Sequence, residues 1–310
     1  MARDVLGTIG NTPLVPLRRL APPGGARVVL KVESTNPTGS MKDRMAQAAI
    51  EAAERDGRLR PGGTVVEYTG GSTGVALALV CAARGYRCRL VSSDAFSREK
   101  LDHMAAFGAE VTVLPSDQGR MTEALFKAMI ARAAEYAREP GAFWTDQLRN
   151  RDIHRGYHAL GEELRAQAGR VDVFVHSVGT AHSLAGVGEV LRRGGGPVRV
   201  VAVEPAESPI LSQGRSGGHR IEGIGVGFVP PLWDASLADE VVAVSSDDAY
   251  AMARRLAREE GLFAGASTGA NVHAALAVAR TLPPEATVAT LLVDTGLKYL
   301  TTELYGRGAG

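Results

Sequence analysis

Short apolar runs alternate along the chain with longer stretches in which apolar positions recur every three or four residues. The short runs predict strands at Arg27–Val32, Thr64–Tyr68, 87–92, Glu110–Leu114, 171–176, 198–203, Glu240–Val244 and 287–293. The longer stretches predict helices at 41–56, 97–107, 121–138, 248–260 and 270–280. Strands that alternate with helices imply parallel strands joined by right-handed crossovers. Unbroken apolar runs such as Val171-Asp172-Val173-Phe174-Val175 suit a sheet covered on both faces. The expected class is therefore α/β, with open, twisted, mostly parallel sheets flanked by helices. In such sheets a ligand binds beyond the carboxyl ends of the strands.

Four connections at that rim are rich in small residues. They are Asn36-Pro37-Thr38-Gly39-Ser40-Met41-Lys42, Thr69-Gly70-Gly71-Ser72-Thr73-Gly74, Ser177-Val178-Gly179-Thr180-Ala181-His182-Ser183 and Gly265-Ala266-Ser267-Thr268-Gly269-Ala270. Each runs into a helical stretch, where free N–H groups favour an anion. One glycine-rich turn is ordinary turn chemistry; four on one rim are more than turns require. The first also carries a lysine. The chain holds 35 basic residues, and lysines stand only at 31, 42, 100, 127 and 298. Arginine can replace lysine as a surface charge but cannot form a Schiff base. Lys42 is thus the candidate nucleophile, and Lys298 its rival.

The rest of the composition mainly excludes. The 310 residues suffice for two lobes, and a net charge of +1 gives no electrostatic reason to expect nucleic acid or a membrane surface. No apolar run is long enough to span a bilayer, and the opening Met1-Ala2-Arg3-Asp4 lacks a signal-peptide core, so a cytoplasmic enzyme is expected. Cys81 and Cys88 read as buried thiols. There is no Walker motif and no zinc signature, and Gly223-Ile224-Gly225-Val226-Gly227 lacks dinucleotide spacing. Gly265-Ala266-Ser267-Thr268-Gly269 fits a nucleophile elbow formally, which keeps a serine hydrolase as an alternative.

Ile9-Gly10-Asn11-Thr12-Pro13-Leu14-Val15 and Asn36-Pro37-Thr38-Gly39-Ser40-Met41-Lys42-Asp43-Arg44 resemble the opening of the cysteine synthase and cystathionine β-synthase family. These are fold-type II pyridoxal-phosphate enzymes, similar to the tryptophan synthase β subunit. The likeness continues in order through the other glycine turns, Gln147 and Asp294-Thr295-Gly296-Leu297-Lys298-Tyr299-Leu300. It implies pyridoxal 5'-phosphate held by Lys42, with its phosphate on Gly179, Thr180, Ala181, His182 and Ser183, and its ring nitrogen facing Ser267. It implies substrate contacts from Thr69, Gly70, Ser72, Thr73, Gln147 and Gly225, Ser72 also touching the cofactor. No metal is implied. It implies a smaller lobe at 42–147, a larger one from 1–41 plus 148–310, and a homodimer. No C-terminal regulatory module or heme segment is expected.

The chemistry implied is β-replacement on an O-activated L-serine, by default O-acetylserine plus sulfide giving L-cysteine. Other small-molecule donors or nucleophiles (O-phosphoserine, homocysteine, amines), a serine/threonine dehydratase and a non-catalytic relative remain open. Four positions depart from the family pattern. Gly70 and Ser72 stand where serine and asparagine are usual, and Ala181 and His182 where glycines are usual. Alanine at 181 is tolerable if its φ is negative; for His182 the expectation is a ring that caps the phosphate, faces the substrate or points to solvent.

Overall fold

A computed structural model describes residues 2–119, 121–194 and 196–306. The strands are β1 (Leu14–Pro16), β2 (Arg27–Val32), β3 (Thr64–Tyr68), β4 (Arg87–Ser93), β5 (Glu110–Leu114), β6 (Ala142–Trp144), β7 (Val173–Ser177), β8 (Arg199–Pro205), β9 (Glu240–Val244) and β10 (Thr287–Leu292). The α-helices are α1 (Lys42–Arg55), α2 (Ser72–Arg84), α3 (Arg98–Ala106), α4 (Glu123–Tyr136), α5 (Asp152–Arg155), α6 (His158–Ala168), α7 (His182–Arg193), α8 (Ile210–Gln213), α9 (Ser246–Arg255) and α10 (Ala266–Ala279). No described helix is long and apolar enough to cross a membrane.

The strands form two sheets, ordered β1-β2-β10-β7-β8-β9 and β5-β4-β3-β6. All pairings are parallel except β1 with β2. Central strands β7 and β10 are buried along their whole length, as their unbroken apolar sequence requires. The six-stranded sheet is covered on one face by α9 and α10 through Val28, Leu30, Val175, Leu256 and Leu276. Its other face meets α6 and α7 through Phe174, Leu164, Leu184 and Leu291. The four-stranded sheet lies between α1, α2 and α3 on one side and α4 on the other.

The two strands that the hydrophobic pattern misses, β1 and β6, are three residues long and sit at sheet edges. Runs this short carry no readable period, and Pro16 suits only an edge. The helix expected over 248–260 ends its α-helical part at Arg255. It continues as a π-turn over Leu256–Glu260 and stops at Gly261, whose φ is +71°.

Loops from both sheets meet at the carboxyl ends of β3, β7 and β10. There Met41 donates its N–H to the Val293 carbonyl at 3.0 Å, and Thr295 donates to the Gly39 carbonyl at 2.9 Å. These bonds set the start of α1 against the end of β10, and the cleft opens between them and β3.

Candidate active site

Lys42 is the first residue of α1, and the loop before it is closed on itself. The Thr38 N–H and hydroxyl both donate to the Asp43 carboxylate, Gly39 N–H to the Asn36 carbonyl, and Lys42 N–H to Ser40 Oγ at 3.2 Å. Asp43 thus occupies the helix N-terminus that an anion would otherwise take. This loop fixes a lysine and binds nothing else. Burial pulls the Lys42 amine down to about 8; Asp294 opposes the shift, and Lys298 and Lys100 add to it.

The remaining three turns differ in what they leave open. At the start of α10, Gly265 N–H bonds the Asp294 carbonyl, and the Thr268 and Gly269 N–H groups bond the Gly265 carbonyl. A Cβ on Gly269 would stand 1.9 Å from the Ala249 carbonyl oxygen, so this glycine serves helix packing. Only Ser267 faces the cleft from this turn, and its hydroxyl has no histidine or aspartate partner among the described residues. Residues 265–270 are therefore not a nucleophile elbow, and as an anion cradle they are partly closed: Gly265, Thr268 and Gly269 have carbonyl acceptors, and only the Ala266 and Ser267 N–H groups lack one among the described residues.

The turns at 69–74 and 177–183 are open. In the first, Thr69 Oγ1 accepts from Gly71 and Gly74 at 2.9 and 3.0 Å, while the N–H groups of Gly70, Ser72 and Thr73 have no acceptor among the described residues. In the second, Gly179, Thr180, Ala181, His182 and Ser183 all leave their N–H groups without an acceptor among the described residues. Each set heads a helix of twelve residues or more, α2 or α7. Two anion cradles therefore face one cleft, which Lys42 and Ser267 also line.

The wall of the cleft carries a buried chain of polar groups. Lys100 of α3 pairs with Glu222 at 2.6 Å and lies 3.1 Å from the Tyr299 hydroxyl. That hydroxyl donates to Asp294 Oδ2 at 2.8 Å, and Ser72 Oγ donates to the same oxygen at 3.2 Å. Ser72 is thus tied to the large sheet's last loop. Lys298 is also buried, without a hydrogen-bond partner among the described residues, and burial lowers its amine to about 8. It does not line the cleft; Lys42 does.

The sequence profile of the pyridoxal-phosphate dependent enzyme family matches residues 5–294. The chain belongs to this family. It is 40% identical over 306 residues to the cysteine synthase of Staphylococcus aureus (strain N315), covering 97% of this chain and 96% of that protein. It superposes on the crystal structure of O-ureido-L-serine synthase with a TM-score of 0.93 at 40% identity, over 100% of this chain and 96% of that one. The cysteine synthase of Entamoeba histolytica gives a TM-score of 0.91 at 33% identity, over 98% and 91% of the two chains. The fold is that of fold-type II pyridoxal-phosphate enzymes, and pyridoxal phosphate is the cofactor.

The residues present fit that group. The free N–H set at 179–183 suits a phosphate, and Gly179 must lack a side chain because a Cβ would stand 2.7 Å from the Gly223 carbonyl oxygen. Thr69, Gly70, Ser72, Thr73 and Gln147 gather on the opposite side of the cleft. Gln147 is locked: its amide accepts from Thr73 Oγ1 at 3.0 Å and donates to the Tyr68 carbonyl at 2.8 Å. A Cβ on Gly70 would meet the Phe96 ring at 2.9 Å, so this ring packs where a larger residue's side chain would stand.

Three placements differ from expectation. Ala181 has φ +70°, not a negative value. The turn demands the left-handed region that glycine usually supplies, and alanine holds it at a cost of about 1 kcal/mol. His182 takes none of its three expected positions. It is buried, with Nε2 2.9 Å from the Gln147 carbonyl oxygen, so its ring joins the phosphate turn to the Gln147 loop. Gly225 does not line the cleft; its neighbours Gly223, Ile224 and Val226 do. The Ser183 hydroxyl is likewise taken, 2.8 Å from His176 Nε2, which leaves its N–H for the anion.

Sequence reasoning missed Lys100, Glu222 and Glu67. Burial raises the Glu67 carboxyl to about 7, and it accepts from Thr145 at 2.5 Å and from the Gln147 N–H at 2.9 Å, fixing that loop from below. For Lys100 a signal existed. The scarcity of lysine marked burial in general: Lys31 is 0%, Lys100 2% and Lys298 4% exposed.

Proposed function

We propose that this protein catalyses β-replacement on an O-activated L-serine, with O-acetylserine as donor and sulfide as nucleophile, giving L-cysteine. The carrying observation is the depressed Lys42 amine in one cleft with two open N–H turns, at the starts of α2 and α7. Pyridoxal phosphate, when bound, supplies a carbonyl for covalent attachment and a ring that withdraws the electron pair left at the substrate Cα.

The chain's own groups do the rest. The N–H groups of 179–183 hold the phosphate, and Ser267 offers the ring nitrogen a neutral hydroxyl, which favours elimination over transamination. The N–H groups of Gly70, Ser72 and Thr73 hold the α-carboxylate, with Gln147 bracing Thr73. Lys42 Nζ, displaced by the substrate amine, takes the proton from Cα. The Cβ–O bond breaks and acetate leaves. The nucleophile bonds to Cβ, and Lys42 Nζ returns the proton to Cα. A low amine pKa keeps Nζ neutral enough to act as base near pH 8.

Likeness to O-ureido-L-serine synthase supports a second reading, the same replacement with another nucleophile. The reading also carries a lobe boundary, with 42–147 closing on the rest, a homodimer and a cytoplasmic setting. The test is turnover of O-acetylserine and O-phosphoserine with sulfide, homocysteine, amines and hydroxyurea. Cysteine and acetate in equal amounts are expected, with loss of at least 10³-fold in Lys42→Ala. Pyruvate without any nucleophile would make the protein a dehydratase. Borohydride fixation of the cofactor on Lys298 would overturn the assignment of Lys42.

A further inference from the structure

On the outer side of the large sheet, α5, α6 and α7 bring together three metal-type ligands that the cofactor chemistry does not use. His154 ends α5 one residue early and His158 opens α6. The two residues between these helices, Gly156 and Tyr157, keep right-handed helical torsions, so both imidazoles face the same way, one turn apart. Gly156 is confined to glycine, since a Cβ would stand 2.6 Å from the Arg44 carbonyl oxygen. Glu189, two turns into α7, meets both rings. Its Oε1 is 2.9 Å from His154 Nε2, and its Oε2 is 3.3 Å from His158 Nε2. All the ligand atoms lie within 4.8 Å of one another.

Two observations separate this cluster from a solvated ion pair. First, His154 Nε2 is buried and, despite its short distance to Glu189, lacks the alignment of a hydrogen bond. Ligands held at about 2.0–2.2 Å around a tetrahedral ion stand roughly 3.3 Å apart without pointing at each other. Second, the cluster is built into the fold. The His154 ring stands edge-on to His182 at 6.3 Å, and His182 in turn holds the Gln147 carbonyl at 2.9 Å. The opposing feature is Arg193, whose guanidinium is 3.4 Å from Glu189 Oε2 but is itself 71% exposed and free to swing away.

We propose that His154, His158 and Glu189 bind one divalent transition-metal ion of the zinc type, with water at the remaining position. Two imidazoles and one carboxylate suit zinc, whereas calcium and magnesium need more oxygen ligands than the cluster offers. All three side chains are partly exposed, so an ion can enter from solvent.

The test is calorimetric titration of zinc chloride into chelator-treated holoenzyme in a non-coordinating buffer. One equivalent is expected, weakened at least tenfold in both His158→Ala and Glu189→Gln. Zinc should raise the melting temperature of the native chain and not of either variant. Cobalt(II) should give the intense visible bands of a four-coordinate site, lost in His158→Ala. Each variant's cofactor absorbance and zinc-free melting temperature report whether it has folded. Should one variant fail to fold, the other carries the test. Absence of a one-equivalent isotherm, or an isotherm unchanged in both variants, overturns the proposal.

Discussion

The turns at 69–74 and 177–183 look alike in sequence and are held in opposite ways. The first is gripped by side chains. Phe96 packs on Gly70, the Lys100 stem on Gly71, and Met104 on Gly74, where added Cβ atoms would stand 2.9, 2.2 and 2.5 Å away. Its shape therefore depends on α3 and on the loop before it. The second is set at its middle by backbone, and the side chains of Asn271, His176 and His182 brace only its two ends. Gly179 faces the Gly223 carbonyl, Val178 N–H bonds the Val203 carbonyl, and Gly225 N–H bonds the Val178 carbonyl. A turn held by side chains moves when its neighbours repack; one held by backbone is set once by the sheet. That asymmetry fits a site that must keep its cofactor while admitting and releasing substrates.

Both turns ride on a frame joined by one ion-pair cluster, and breaking it should move them together. Arg44 of α1 bonds Glu33 at 2.7 Å and Glu163 of α6 at 2.8 Å, and Lys31 reaches Glu163 at 2.7 Å. Burial alone would raise the Glu163 carboxyl, but the bonds from Arg44 and Lys31 outweigh it and hold it at about 2. Its contribution is therefore complete above the ordinary value of 4.5 and is lost as pH falls from there toward 2. Glu163→Gln should cost about 3 kcal/mol at pH 7, because it takes the charged partner from buried Lys31 and leaves buried Arg44 with Glu33 alone. It should also flatten the acid limb of a stability-versus-pH curve measured by denaturant unfolding.

Two glycine replacements test the asymmetry directly. Gly71→Ala combines φ +130° with a 2.2 Å clash on Lys100. It should lose about 2–3 kcal/mol and weaken amino-acid binding while the cofactor stays bound. Gly179→Ala should do the reverse, raising the cofactor dissociation constant about tenfold with little effect on amino-acid affinity in the loaded enzyme. Cofactor absorbance read against both ligands separates the two. If each variant disturbs both ligands equally, the turns are one mechanical unit and the comparison fails. The smallest effect is expected at Ala181. Ala181→Gly removes the left-handed strain and should stabilise by about 0.5–1 kcal/mol in thermal unfolding. A destabilised variant would mean that the alanine methyl, buried against the large sheet's helical layer, contributes more than the strain costs.

The strands, their parallel pairing and the rim that holds the site were largely legible in the sequence. Parallel strands are continuous apolar runs, and β2, β3, β5 and β9 begin and end where those runs do, the last two even as half-exposed edge strands. Lys42, Ser267 and the two open turns were legible because their chemistry is local. What could not be read was whether a turn's N–H groups are already taken. Residues 265–270 and 177–183 are equally rich in small residues, and only the first is partly closed by the Asp294 carbonyl. Nor could the Lys100–Glu222 pair be read, since the scarcity of lysine pointed to Lys100 alone and its partner lies 122 positions away. The direction of His182 depended on where the Gln147 carbonyl came to lie.

The distribution of lysines has a practical consequence for probing this molecule. Lys127 on α4 is 70% exposed, while the other four are buried or face the cleft. An amine-directed label applied under mild conditions should therefore react at one lysine, leaving the reactive centre shielded by its cofactor. That gives a reporter on the side of the four-stranded sheet, away from the chemistry, without engineering the chain. Paired with the cofactor's own emission as a second chromophore, it gives an optical distance measurement of whether the four-stranded sheet moves when substrate arrives.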